Sequence, residues 1–365
     1  MNQTDPAPSS VADTAPTRVV GQLSRLDRLL PVWIVAAMAV GLGLGYVIPS
    51  MANALNAVQV GSVSLPIALG LLLMMYPVLA KVQYRNLSQV VSDKRLLIAS
   101  LVLNWLVGPA LMFSLAWLFL ADLPEYRTGV IIVGLARCIA MVLIWNDLAG
   151  GDRELGAVLV AVNALFQIAA FGLLGWFYLE VLPGWLGLAQ VSAQFPIRTV
   201  VVSVLVFLGI PLLAGYLSST LGQARKGLAW YEQRFLPRIG PFALYGLLFT
   251  IVVLFALQGH TIAAEPFDVA RIALPLLAYF LTQFIGSFAL GRALRIGYAK
   301  TATLAFTAAG NNFELAIAVS IAVFGITSGQ ALAGVVGPLI EVPVLVGLVY
   351  VALWLGQRFF PTQSR

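Results

Sequence analysis

The chain has 365 residues, of which 60% are hydrophobic and only 10% are charged. An ordinary soluble domain carries about 25% charged residues, so a water-facing surface cannot be built from this composition. The net charge of +6 fits the basic inner loops of membrane proteins better than a nucleic-acid partner, since no basic run interleaved with aromatics occurs.

Residues 1–28 are rich in Pro, Ser, Thr and Ala and read as a disordered cytoplasmic tail, with no cleavage site that would make them a removed signal peptide. Apolar runs then predict ten spanning helices at 30–49, 63–81, 96–120, 129–148, 155–180, 198–218, 240–258, 271–293, 301–324 and 330–357. A span takes about 20 apolar residues and satisfies its own backbone, which lipid cannot do. His260 falls in a predicted outer loop, and residues 359–365 form a second tail. With the N-terminus inside, inner segments hold 17 of the 21 Lys and Arg, and outer loops only Arg127, Arg198 and Arg271. That bias predicts a multi-pass protein of the bacterial inner membrane with both termini in the cytoplasm.

The two halves, 29–185 and 195–358, echo each other. Gly45-Tyr46-Val47 resembles Gly215-Tyr216-Leu217, and the polar positions around Asn104 in span 3 match those around Gln283 in span 8. Five helices per half force the second half to enter the membrane in the opposite sense. The expected fold is therefore all-α, a five-plus-five inverted repeat of the kind found in secondary transporters.

Polar residues at mid-membrane cost about 2.5–3.5 kcal/mol on insertion scales and need a reason. Span 4 carries Arg137 and Cys138 near its centre and Asn146 and Asp147 toward its end. Span 9 carries Gly310, Asn311, Asn312 and Glu314. Asn311 and Glu314 share a face if that helix is continuous, but glycine beside two asparagines is also a place for it to unwind. Span 5 adds Asn163 and Gln167, and span 10 adds Glu341 between Pro338 and Pro343. Asn104, Asn163, Gln167 and Gln283 can equally be interhelical packing bonds. Arg137 can be a structural cation paired with Glu314 or Glu341, and Asp147 an interfacial charge. Cys138 is either an inert small hydrophobe or, beside Arg137, a reactive thiol. As the sole cysteine it excludes an intrachain disulfide or a cysteine-rich metal site. No GxxxxGK[ST] motif is present, which argues against an ATPase.

Three stretches carry a family resemblance: GLARCIAMVLIWNDLAGGDRELGAVLVAVNALFQ from Gly134, AAGNNFELAIAVSIAVFG, and GVVGPLIEVPVLVGL. They resemble the Acr-type arsenite efflux permeases of the bile acid/arsenite/riboflavin transporter group. The resemblance implies a panel domain and a core domain, with spans 4 and 9 broken and crossing at the site. It places the family's functional cysteine on Cys138 and its functional glutamate on Glu314. It implies arsenical resistance by export of trivalent arsenic as arsenite, with antimonite left open as a second cargo, without enzymatic chemistry or a resident cofactor. Thiolates suit such a soft centre, and one thiolate binds it reversibly. The expected assignment is transient capture by Cys138, hydrogen bonding by Asn311, Asn312 and Arg137, and proton exchange at Glu314, giving antiport. Asn146, Asp147, Asn163, Gln167 and Glu341 are supporting candidates. Partners beyond arsenite, protons and lipid are further copies of the chain or soluble arsenic-handling proteins. The alternative is a sodium-coupled organic-anion symporter, with Arg137 on the anion and sodium near Asn311 and Glu341.

Overall fold

A computed structural model describes residues 29–48, 59–60, 63–82, 94–139, 141–189 and 196–360. The tails and the loop around residues 83–93, for which cytoplasmic positions are expected, lie outside the described residues. Twelve helices are described: α1 Leu30–Val47, α2 Leu65–Ala80, α3 Lys94–Phe119, α4 Pro124–Leu135, α5 Val142–Leu148, α6 Arg153–Trp185 and α7 Ile197–Lys226 in the first stretch. There follow α8, which opens at Leu228 and continues through Leu236–Ala264, then α9 Pro266–Ala293, α10 Tyr298–Ala309, α11 Phe313–Phe324 and α12 Gly329–Phe359. A two-residue antiparallel pair, β1 Gln59–Val60 with β2 Val63–Ser64, precedes α2.

Six of these helices are long and apolar enough to cross a membrane: α3, α6, α7, α8, α9 and α12. Shorter apolar helices lie at Val32–Val47, Leu65–Ala80 and Phe313–Phe324. Large apolar side chains such as Leu69, Ile98, Leu173, Ile285 and Trp354 face outward. A helix set that is apolar outside as well as inside belongs in lipid. Every predicted span contains helix, but spans 4 and 9 are each two helices with an extended break between them, α4/α5 and α10/α11.

Prolines shape the long helices in a regular way. Each of four π-helical turns, Leu103–Val107, Phe177–Val181, Leu205–Gly209 and Tyr231–Phe235, is followed two residues after its end by Pro109, Pro183, Pro211 or Pro237. Proline has no N–H for its turn and its ring crowds the carbonyl four residues back; a wider turn absorbs both. In α3 the carbonyl of Leu103 accepts from the amide of Gly108 and also from the Gln283 side chain of α9, the latter at 2.8 Å.

The helices pack in two groups. In one, α1 and α2 lie on α8, and α2 also lies on α7. Gly41 and Gly45 of α1 let its backbone meet that of Val252 and Ala256, the small-residue packing by which membrane helices approach closely. In the other group α3 packs on α4 and α9, α9 on α10 and α12, and α12 on α4 and α11. His260 lies within α8 rather than in a loop, because the helix continues to Ala264 and stops only before Pro266.

Candidate functional site: the crossing of two broken helices

The extended breaks of the two broken spans cross and pair with each other. Arg137 and Asn311 form an antiparallel bridge. The amide of Cys138 donates to the Gly310 carbonyl at 3.2 Å, and the amide of Asn312 donates to the Ala136 carbonyl at 3.0 Å. Two further amides are taken by side chains: Arg137 N–H by Gln167 Oε1 at 2.5 Å and Asn311 N–H by Glu341 Oε1 at 3.2 Å. In both cases the acceptor lies 30 residues downstream. Unwound backbone deep in an apolar protein must find such partners. Close crossing also explains Gly310, since a Cβ there would lie 2.9 Å from the Cβ of Cys138. Asn312 restarts the helix, its Oδ1 accepting from the amide of Leu315 at 3.0 Å as the N-cap of α11. Asn311 and Glu314 therefore do not share a continuous helix face: Asn311 is in the break and Glu314 in the first turn of α11.

Arg137 is fully buried, and it is paired with neither Glu314 nor Glu341. Its guanidinium hydrogen-bonds the Gly134 carbonyl in the last turn of α4, the Ala308 carbonyl in the last turn of α10 at 3.5 Å, and Tyr279 Oη of α9 at 2.5 Å. The Tyr279 hydroxyl in turn donates to the Ala308 carbonyl at 3.3 Å. The two helix C-termini carry the negative ends of their dipoles and orphan carbonyls, so a guanidinium there is compensated without a carboxylate. Gly108 of α3 makes room for it: a Cβ would lie 2.7 Å from Arg137 Nη1. The side chain thus clasps the crossing from behind and does not line the crevice expected of a substrate ligand.

On the other side of the crossing is a narrow crevice lined by Met75, Cys138, Ile139, Met141, Asn311, Asn312, Glu314 and Glu341, too tight for a water-sized molecule in this conformation. Cys138 is buried at 3% exposure. Asn311 Nδ2 donates to the Val133 carbonyl at 2.7 Å, while its Oδ1 has no partner among the described residues. Asn312 spends Oδ1 on the cap, and its Nδ2 has no partner among the described residues. Buried polar atoms are seldom left so, and here a spare acceptor and a spare donor stand beside one thiol and two carboxyls. Met75, from α2, is the lining residue contributed by the first group of helices.

The other candidates serve elsewhere. Asn163 Oδ1 accepts from Trp105 Nε1 at 3.2 Å, and its amide donates to Asn104 Oδ1 at 3.4 Å, a packing network away from the crevice. Asn146 accepts from Thr303 Oγ1 at 2.7 Å and donates to the Asp152 carbonyl at 3.2 Å, tying α5 to α10. Asp147 forms an ion pair with half-exposed Arg153 at 2.9 Å. Sequence reasoning passed over Met75, Met141, Tyr279 and Gly108. The methionines sit in apolar runs with nothing to set them apart from lipid-facing neighbours.

The model of the Sodium Bile acid symporter family matches residues 68–265, more than half of the chain. The chain is 61% identical over 340 residues to the arsenical-resistance protein Acr3 of Corynebacterium glutamicum, covering 93% of this chain and 92% of that protein. It is 32% identical to the arsenical-resistance protein Acr3 of Alkaliphilus metalliredigens, covering 93% and 95% of the two chains. A transporter of Synechocystis is 36% identical, with 90% and 88% covered. The resemblance drawn from the segments around Cys138, Glu314 and Glu341 thus extends along nearly the whole chain. With its exterior apolar and its broken helices crossed, the chain belongs to the family of the Acr3 arsenical-resistance proteins, membrane transporters within the sodium bile acid symporter family.

Proposed function

We propose that this protein exports arsenite from the cytoplasm by proton antiport, with the crevice at the crossing as its binding site. The observation that carries the reading is the convergence there of the sole cysteine, two asparagines with unused polar atoms and two carboxyls. Arsenite arrives as neutral arsenous acid. Cys138 Sγ forms a bond to arsenic, one hydroxyl leaves as water with the thiol proton, and water reverses the step on release. Asn311 Oδ1 accepts from a remaining hydroxyl and Asn312 Nδ2 donates to an oxygen. Glu314 exchanges the coupled proton, and Glu341 holds the backbone of the break. Antimonite has the same chemistry and fits the same groups.

We further read the fold as ten spans in two inverted halves, 29–185 and 195–358, with α1, α2, α7 and α8 as panel and the remaining helices as core. Support comes from the matched breaks and from Gln167 and Glu341, each accepting from the amide of the residue 30 positions before it. The loop charges favour an inner-membrane protein with both termini in the cytoplasm.

Inverted membrane vesicles energised with an inward-acid proton gradient test the reading. They are expected to accumulate arsenite, Glu314→Gln to abolish accumulation, and Cys138→Ser to reduce it at least about tenfold, the loss of an oriented covalent ligand. Vesicles that hold the gradient yet accumulate nothing refute proton antiport. Undiminished transport by Cys138→Ser removes the thiol role alone. Accumulation driven by a sodium gradient instead supports the symport alternative.

A further inference from the structure

The C-terminal ends of α9 and α12 meet at one end of the bundle and leave a groove of about 530 Å³ between them. Arg292 and Arg295 stand at its mouth, above walls formed by Ile285, Phe288, Ala289 and Leu355. From Ile285 to Arg292 a helix rises about 10 Å, so the groove runs from a charged rim into the apolar layer. The Arg292 guanidinium lies over the Phe359 ring, 4.0 Å from its centroid, which holds it at the rim. Arg295 follows the end of α9 with φ 57°, the one non-glycine residue at positive φ among the described residues. Its amide donates to the Arg292 carbonyl and that of Ile296 to the Gly291 carbonyl, a helix ending at which glycine is the usual residue. Neither arginine forms an ion pair among the described residues, where the pairs are Arg153–Asp147 and Arg271–Asp122.

A single cation near a helix end complements the last carbonyls and reaches toward water. That accounts for Arg292 or Arg358 taken alone. It does not account for an arginine in a strained position suited to glycine, a second laid on an aromatic ring, and an apolar trough beneath both. We propose that this groove binds an anionic glycerophospholipid, its phosphate on Arg292 and Arg295 and one acyl chain along Ile285, Phe288, Ala289 and Leu355. Because α9 packs on α10 and α12 on α11, such a lipid braces the helices that carry both parts of one broken span.

The test titrates full-length protein in detergent with phosphatidylglycerol or phosphatidylcholine of matched chains and counts retained lipid by native mass spectrometry. Wild type is expected to retain phosphatidylglycerol at least about fivefold better, the scale of one arginine near an anionic headgroup. The double change Arg292→Ala and Arg295→Ala is expected to bring that ratio to about one. Ala289→Trp fills the trough at an outward-facing site and spares both arginines; it is expected to lower phosphatidylglycerol retention while the protein stays monodisperse. Changing Arg225 and Lys226, at the end of α7, to alanine is expected to leave the ratio as in wild type. Equal retention of the two lipids by wild type, or an unchanged ratio in the arginine variant, overturns the proposal. So does full retention in Ala289→Trp, or displacement of the lipid by soluble glycerol phosphate, which assigns the rim to a free anion.

Discussion

Replacing Arg137 by lysine separates two roles that a buried cation could have. A charge held for a substrate survives the change, because lysine keeps the charge. A clasp across two helix ends does not, because it depends on the planar fork of a guanidinium reaching Gly134, Ala308 and Tyr279 together. Hydrogen bonds to a charged group contribute about 1.5–3 kcal/mol each and are not additive. An ammonium in that place keeps one of the three and leaves a buried charge short of partners, for a net loss of about 2–4 kcal/mol. For a chain of 365 residues that is a fall of roughly 3–5 °C in melting temperature. Arg137→Met removes the charge together with its bonds and is expected to be no worse than lysine. Thermal unfolding of purified protein, followed by fluorescence-detected size exclusion, measures both variants. A lysine variant melting within about 1 °C of wild type, with full transport, refutes the clasp.

Gly310→Ala places a Cβ 2.9 Å from that of Cys138 and must push the crossed strands apart; arsenite flux in vesicles is expected to fall roughly 10- to 100-fold, the effect of a misplacement near 1 Å. Asn146→Ala removes two hydrogen bonds joining α5 to α10 and the start of α6, and is expected to cost about 1–3 kcal/mol in denaturant unfolding. Arg271 holds the exposed carboxyl of Asp122 down, from 3.8 to about 2. A depressed carboxyl contributes stability above its unfolded value and loses it as pH falls through the folded one. Wild type should therefore melt slightly above Asp122→Asn at neutral pH, and the two should converge between about pH 4 and pH 2. A difference that persists unchanged at pH 2, or that ignores added salt, argues against that origin.

Much of the architecture was legible because lipid imposes it. Runs of about 20 apolar residues can do little else in a chain this poor in charge. Errors cluster at helix starts. Spans 4 and 8 begin at Pro124 and Pro266, several residues before the apolar runs suggest, because charges in a first turn were read as loop. Proline at the first helical position is the signal that corrects both. Within the site, Gly310 and the two asparagines announced an unwound segment, and Cys138 and Glu314 do line one crevice. The partners of Arg137 could not be read, because they are main-chain carbonyls that become available only where two helices end side by side. Asn163 and Asn104 carry the same polarity as the crevice asparagines, and only their contact with Trp105 and with each other tells them apart.

Gln167 and Glu341 perform the same service for the backbone, yet only one of them can change its charge. An amide grips its N–H identically in acid and in base. A carboxyl that takes up a proton becomes a poorer acceptor, and its hold on Asn311 loosens while Gln167 keeps hold of Arg137. One side of the crossing is thus held by an acceptor that a proton does not alter, the other by one that a proton would weaken. The two breaks therefore match in geometry but not in chemistry.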